Sequence, residues 1–265
     1  MRAFRSEFIR IWRPAYFYGG FGAMAGFAAL ISVFIYTAAK SGPPIPSTSG
    51  QASGFASVAQ IASPGGFLAP LTVVSRPAGV IMLSLWAIAV ASDYSTGLIR
   101  VVVQAYPKRV SLMTGKIAAL AGFTVIAATV AYLVMIFCAR PLARLEGIDV
   151  EHWKTDFASH LFKGYIDFTV AMLVWGLIGL MLAVLTRSSA MAIGIGIGFL
   201  LVVESLITIV AANAAKYLPG GTLTTLVQGG TDGFPWGAAG GVVVLYGIIA
   251  AAVSLVVFRT RDIVA

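Results

Sequence analysis

Long apolar runs alternate with short polar stretches along this chain, and six of the runs, at residues 16–39, 67–91, 117–139, 168–185, 191–212 and 237–258, approach or exceed 18 residues. A helix crosses a bilayer with roughly 20 mostly apolar residues, so each run predicts one span. The expectation is an all-α integral membrane protein with six transmembrane helices. The spans use about half of the 265 residues and leave too little for a separate soluble domain, so 1–265 reads as a single transmembrane domain.

Composition sharpens this picture. Hydrophobic residues make up 59% of the chain and charged residues 11%, with a mean hydropathy of +0.92, whereas about 25% of the residues in an ordinary soluble domain are charged. Basic residues precede the first run, as in a signal peptide, but the run is long and Ala38-Ala39-Lys40 is a poor cleavage site, so a retained span is expected. Cys138 is the only cysteine, which rules out an internal disulfide and points to a packing role.

Charge sets the expected orientation. Arg2, Arg5, Arg10 and Arg13 precede the first span, Arg100, Lys108, Arg109 and Lys116 follow the second, Arg187 lies between the fourth and fifth, and Arg259 and Arg261 close the chain. The loop from Arg140 to Asp167 mixes both signs. The positive-inside rule therefore predicts cytoplasmic N- and C-termini. The net charge of +8 reflects this topology and attraction to anionic lipid. It does not indicate nucleic-acid binding.

Several local patterns carry expectations. Phe4, Phe8, Ile9 and Trp12 recur at helical spacing among Arg5, Glu7, Arg10 and Arg13, predicting an interfacial helix over 1–15 with Trp12 as an anchor. The loop from Lys40 to Gly66 is rich in Gly, Ser, Pro and Ala, with a short helix expected near Phe55 to Ile61. Arg76-Pro77 interrupts the second run, and a span that begins after Arg76 at the interface is expected. From Val150 to Lys163, a surface amphipathic helix should bury Trp153, Phe157, Leu161 and Phe162 on one side. His152 and His160 within it are too few and too widely spaced to suggest a metal site.

Thr186 to Ala190 predicts a tight hairpin between the fourth and fifth spans. The pairs Gly22/Gly26, Gly194/Gly198 and Gly237/Gly241 have the spacing that lets helices approach closely, though chance also produces it in glycine-rich helices. Glu204, an acid expected near the middle of the fifth span, must face other helices or water. It is either a functional group or a hydrogen-bonded strut of the bundle.

The most distinctive stretch is the polar, basic island at 93–116. Asp93 lies where the second span leaves the membrane, Ser95 or Thr96 can cap a short helix containing Ile99, Val102 and Val103, and Pro107 ends it. Such a helix, with an apolar face and Arg100, Lys108 and Arg109 beside it, fits a groove on a protein partner. A basic loop on anionic lipid is the plainer alternative.

These residues resemble the cytoplasmic loop of ABC exporter permeases of the ABC-2 membrane family, many of which read Glu-Tyr-x-x-Gly-Thr-Ile-Arg, then Pro-x-Arg, then a lysine as the next helix begins. Tyr94, Gly97, Ile99, Arg100, Pro107, Arg109 and Lys116 fall in step, while Asp93 replaces the glutamate and Leu98 the threonine. Many actinobacterial-looking members also carry a glutamate near the place of Glu204 and a later Leu-Pro like Leu218-Pro219.

The resemblance implies the fold of a type V exporter permease, with the N-terminal interfacial helix touching the ATPase and the 93–116 segment acting as coupling helix. It also implies two copies of a separate ABC ATPase subunit that bind ATP and Mg, and a second permease copy or a paralogue. The cargo would be an unidentified hydrophobic, lipid-like or drug-like substrate crossing the cytoplasmic membrane.

The chain itself contains no phosphate-loop motif, no His-Glu-x-x-His and no Gly-x-Ser-x-Gly, so no catalytic residue and no cofactor is expected in it. A secondary transporter or channel, and a membrane accessory protein that does not transport, share its bulk properties. The carrier should show more intramembrane charges or broken helices in inverted repeats.

Overall fold

In hydrocarbon a helix satisfies every backbone hydrogen bond within its own segment, and the computed structural model, which describes residues 14–39, 56–99 and 109–260, is almost wholly helical. In chain order come α1 (Pro14–Ala39), α2 (Val58–Ala62), α3 (Ala69–Ser95), α4 (Arg109–Leu145), α5 (Phe157–Thr186), α6 (Ser189–Gly198), α7 (Glu204–Val210), α8 (Ala212–Ala215), α9 (Pro219–Val227) and α10 (Trp236–Thr260). A minimal hairpin, β1 (Gly230–Thr231) antiparallel to β2 (Phe234–Pro235), precedes α10. A π-turn at Phe199–Val203 joins α6 to α7 into one interrupted span.

Six helical segments among the described residues are long and apolar enough to cross a membrane. They are α1, α3, α4, α5, α6 with α7, and α10. The chain is a multi-pass, all-α membrane protein. Six passes alternate direction, so the start of α1, the 94–115 segment, the Arg187-Ser188 turn and the end of α10 share one side.

The boundaries differ from the apolar runs where polar residues ride on long helices. α4 has 37 residues, about 55 Å at 1.5 Å per residue, and overshoots a hydrocarbon layer of about 30 Å. α5 begins at Phe157, eleven residues before the apolar run does.

The expected surface helix over Val150 to Lys163 is not formed. Glu151–Lys154 is a 3-10 turn, Asp156 has a left-handed backbone (φ 51°), and Phe157 opens α5. The reversal at Asp156 sends Trp153 into the core at 6% exposure, where Phe157 also packs on Phe67 and Leu161 on the same cluster, while Phe162 remains 67% exposed and does not join them.

Nor does the second span begin after Arg76. α3 runs continuously through Arg76 and Pro77. Pro70 lies in its first turn, where a missing N–H costs nothing.

The bundle is organised around α3 and α5. The Trp86 ring lies over Gly176, where an added Cβ would come within 2.4 Å of it, and the Trp175 ring lies over Gly79, at 2.3 Å. A Cβ on Gly179 would come 2.2 Å from the carbonyl oxygen of Leu83. Two large rings thus seat in each other's glycine notches, and without hydrophobic drive between lipid-like surfaces such close packing is what holds helices together. Trp86 also donates its indole N–H to Thr124 Oγ1 at 2.8 Å, tying α3 to α4. α1 packs on α4 through Phe21 and Phe123, ring centroids 5.0 Å apart.

The expected glycine pairs lie elsewhere. Gly22, Gly26, Gly194, Gly198, Gly237 and Gly241 all have open space where a Cβ would stand.

A second core caps the end of the bundle opposite the 94–115 segment. Ile35, Tyr36, Ile61, Phe67, Ala143 and Trp153 pack together there, and the Trp153 indole N–H donates to the carbonyl of Ile61 at 2.7 Å. α2, opened by a Ser57 and Gln60 capping box, is the short helix expected in this loop. Phe55 lies outside the described residues.

Candidate functional site

The last turn of α3 presents Asp93, and the third turn of α4 presents Lys116. The two meet in an ion pair, with Lys116 Nζ donating to Asp93 Oδ2 and only 9% and 11% of the lysine and aspartate side chains exposed. Burying two charges costs several kcal/mol per ion, so a pair of this kind fixes geometry more than it adds stability.

Tyr94, the next residue, packs on the central core, and the Arg187 guanidinium lies 6.0 Å from its ring centroid. Arg187 takes the left-handed region (φ 56°) at the end of α5, with its N–H bonded to the Ala183 carbonyl at 2.8 Å. The tight hairpin expected between the fourth and fifth spans is present. Ser188 accepts from the Met191 N–H to open α6, and the turn carries Arg187 to Tyr94.

Gly97 makes the turn that ends α3. Its φ is +67° and its N–H donates to the Tyr94 carbonyl at 3.2 Å, a conformation that costs other residues about 1–2 kcal/mol. The hydroxyls of Ser95 and Thr96 bond back to the Ser92 carbonyl at 3.2 and 2.7 Å. They close the preceding helix; the helix that the sequence expects them to cap lies mostly outside the described residues.

Leu98 and Ile99 are helical, and Ile99 packs on the central core. Arg100, Val102, Val103, Pro107 and Lys108 lie outside the described residues, as do Phe8 and Trp12 of the expected interfacial helix. Arg109 begins α4. Of the expected coupling residues the structure thus brings together Asp93, Tyr94 and Lys116, around a turn made by Gly97. It adds Arg187, which the sequence marked only as a topological charge.

Glu204 opens α7, about 9 Å from the end of its span at Val210 by the helical rise. It is not near the middle of the span and is 4% exposed. Its Oε1 accepts the Gly220 N–H at 2.6 Å, which places a carboxylate on the N-terminus of α9, where unpaired N–H groups and the helix dipole favour an anion. Arg76 Nε donates to Thr224 Oγ1 at 3.2 Å, one turn further along α9, and Arg76 acts electrostatically on the Glu204 carboxylate. The arginine that interrupts the second apolar run is therefore used inside the protein.

A third polar cluster had no expectation attached to it. Asp167, 3% exposed within α5, accepts the Trp236 indole N–H at 3.0 Å, and Lys163 Nζ sits 4.5 Å from the Trp236 ring centroid. Only its place at the edge of an apolar run, four residues after Lys163, could have marked it. Among the described residues no three His, Cys, Asp or Glu side chains are grouped to hold a metal. The three polar clusters join helices, and none presents a nucleophile beside a base.

The model of a family described as a protein of unknown function, DUF2705, matches residues 51–264. The chain belongs to this family. The match takes in every span after α1, together with the 93–116 segment, Glu204 and the Asp167 cluster. No curated protein matches the chain.

Proposed function

We propose that the chain is the transmembrane permease subunit of an ATP-driven exporter of the ABC-2 type. It would lie in the cytoplasmic membrane with both termini cytoplasmic, pair with a second copy or a paralogue, and bind two copies of a separate ABC ATPase that hold ATP and Mg. The observation that carries this reading is the buried Asp93–Lys116 pair.

A loop that merely rests on lipid has no need to bury an ion pair at its base. A segment that must pass force to the bundle does, because its ends have to move with the spans and not slide past them. Asp93 and Lys116 tie α3 to α4, and Tyr94 with Arg187 ties α3 to the α5–α6 hairpin, so a push on the segment between them reaches four helices. In alternating access, ATP-driven closure of the ATPase supplies the push and the permease interface opens outward. The push shifts a two-state equilibrium only by the difference in affinity between the states. The transported substrate is hydrophobic, lipid-like or drug-like in this reading.

The test is affinity purification in mild detergent with an ATPase assay on the eluate. An ATP-hydrolysing subunit should co-purify and be lost in Gly97→Val and Arg100→Ala. A clean eluate from the native chain would overturn the reading.

A second reading, a secondary carrier, is favoured by one observation. The fifth span is interrupted by a π-turn beside the buried Glu204, and broken helices with intramembrane acids are a mark of such carriers. Ion-driven uptake or efflux in vesicles without ATPase, abolished by Glu204→Gln, would favour it.

A further inference from the structure

α9 is nine residues long, about 13 Å, far too short to cross a membrane, yet seven of its residues are buried. It packs against α3, α5 and α10 at the end of the bundle opposite the 94–115 segment. Its sequence, Pro-Gly-Gly-Thr-Leu-Thr-Thr-Leu-Val, is unusually polar for such a place.

The fit is tight at its start. A Cβ on Gly220 would fall 2.2 Å from Glu204 Oε2, and one on Gly221 would fall 2.4 Å from the Ala215 carbonyl oxygen. The links on either side interrupt the helical ladder, although Tyr246 Oη donates to the Tyr217 carbonyl at 2.7 Å and Lys216 Nζ to the Gly233 carbonyl at 3.0 Å. Before α9 come the π-turn, a break at Ala211 with a non-helical backbone (φ −143°, ψ 66°), and the four-residue α8. After it come Gly229 and Gly230, both at positive φ (83° and 99°). A well-seated piece between two such joints can move as a unit, because few helical hydrogen bonds are lost at either joint when it does.

We propose that Pro219–Val227 is a plug that closes this end of the bundle, held shut by a two-point latch in which the Glu204 carboxylate grips its N-terminus and Arg76 grips Thr224. The first point is a charge-assisted hydrogen bond from Gly220, and the second crosses from α3. Both latch residues are charged groups placed where lipid would reject them, and each is aimed at α9. In an exporter, withdrawal of the plug would open the route between spans to the outer side. That use rests on the permease reading, but the latch does not.

Opening is read by cysteine labelling of the full chain in intact cells with a membrane-impermeant maleimide, after Cys138→Ser. Thr225→Cys reports on α9, and Ala143→Cys, in the cap on the same side, reports on the rest of the structure. The labelling rate at position 225 should rise about tenfold in Glu204→Ala, the change that loss of one charge-assisted hydrogen bond makes in an opening equilibrium, while position 143 stays protected. Glu204→Gln, which keeps an acceptor for the Gly220 N–H but loses its charge, should raise labelling by an intermediate factor, below that of Glu204→Ala. Arg76→Met leaves Glu204 in place and should raise labelling by a smaller factor, which provides a test if Glu204→Ala does not accumulate. Unchanged labelling at 225 in both variants, or an equal rise at 225 and 143, would overturn the latch. Neither readout involves an ATPase, so failure of the permease reading would leave this result standing.

Discussion

Asp93 and Lys116 show how much of a residue's role depends on its neighbour. Twenty-two residues separate them, yet they form one buried unit. Removing either charge strands the other, so Asp93→Asn or Lys116→Met should each destabilise the protein by about 3–5 kcal/mol, whereas Asp93→Leu with Lys116→Met should recover most of that loss. Thermal unfolding in detergent measures all three. If coupling depends on the pair, the double variant should remain folded and still lose transport. Trp236 poses a simpler case. Trp236→Phe leaves the buried Asp167 without its indole donor, and a loss of about 1–3 kcal/mol is expected in the same melt.

Asp93 and Lys116 were both marked by the sequence, because a charged residue at the end of an apolar run is conspicuous. Asp167 and Arg187 were not, because a loop acid or a topological arginine looks the same on paper whether it faces water or a partner.

At the scale of elements, the glycines divide into two groups that sequence spacing does not separate. Gly79, Gly176 and Gly179 are in contact with a tryptophan ring or a facing backbone, while Gly194 and Gly198 on α6 have open space. Gly179→Ala should therefore cost about 1–3 kcal/mol through overpacking against the Leu83 backbone, and Gly194→Ala, inside a helix with open space for a Cβ, should stabilise by about 0.5–1 kcal/mol. Measured side by side, equal effects would contradict the packing described. Among the described residues Gly22/Gly26, Gly194/Gly198 and Gly237/Gly241 meet no neighbouring helix of the same chain, because the spacing rule counts residues along one helix. A close approach needs a bulky partner on a second helix, here Trp86 and Trp175. The same limit hid the start of α5. Phe157 to Asp167 carries too many polar residues to read as span, but a helix whose core is secured by the apolar run 168–185 carries its polar first turns along with it.

For the molecule as a whole, six alternating passes make an accessibility pattern that can be checked directly. With Cys138→Ser as background, cysteines at Thr96 and Ser188 should label from one side of the membrane and cysteines at Ser63 and Asp149 from the other. The positive-inside bias assigns Thr96 and Ser188 to the cytoplasm. A mixed pattern would contradict the pass count, and a clean inversion would contradict only the orientation.

The six spans and the basic island were legible in the amino-acid sequence by itself, since hydropathy over about 20 residues reports directly on transfer into hydrocarbon. Tertiary structure alone decided which helices touch, that Asp93 finds Lys116, that Arg76 and Glu204 converge on α9, and that the loop around Trp153 folds into a cap. Those outcomes depend on pair distances between residues far apart in the chain, and composition along a single helix holds no record of them.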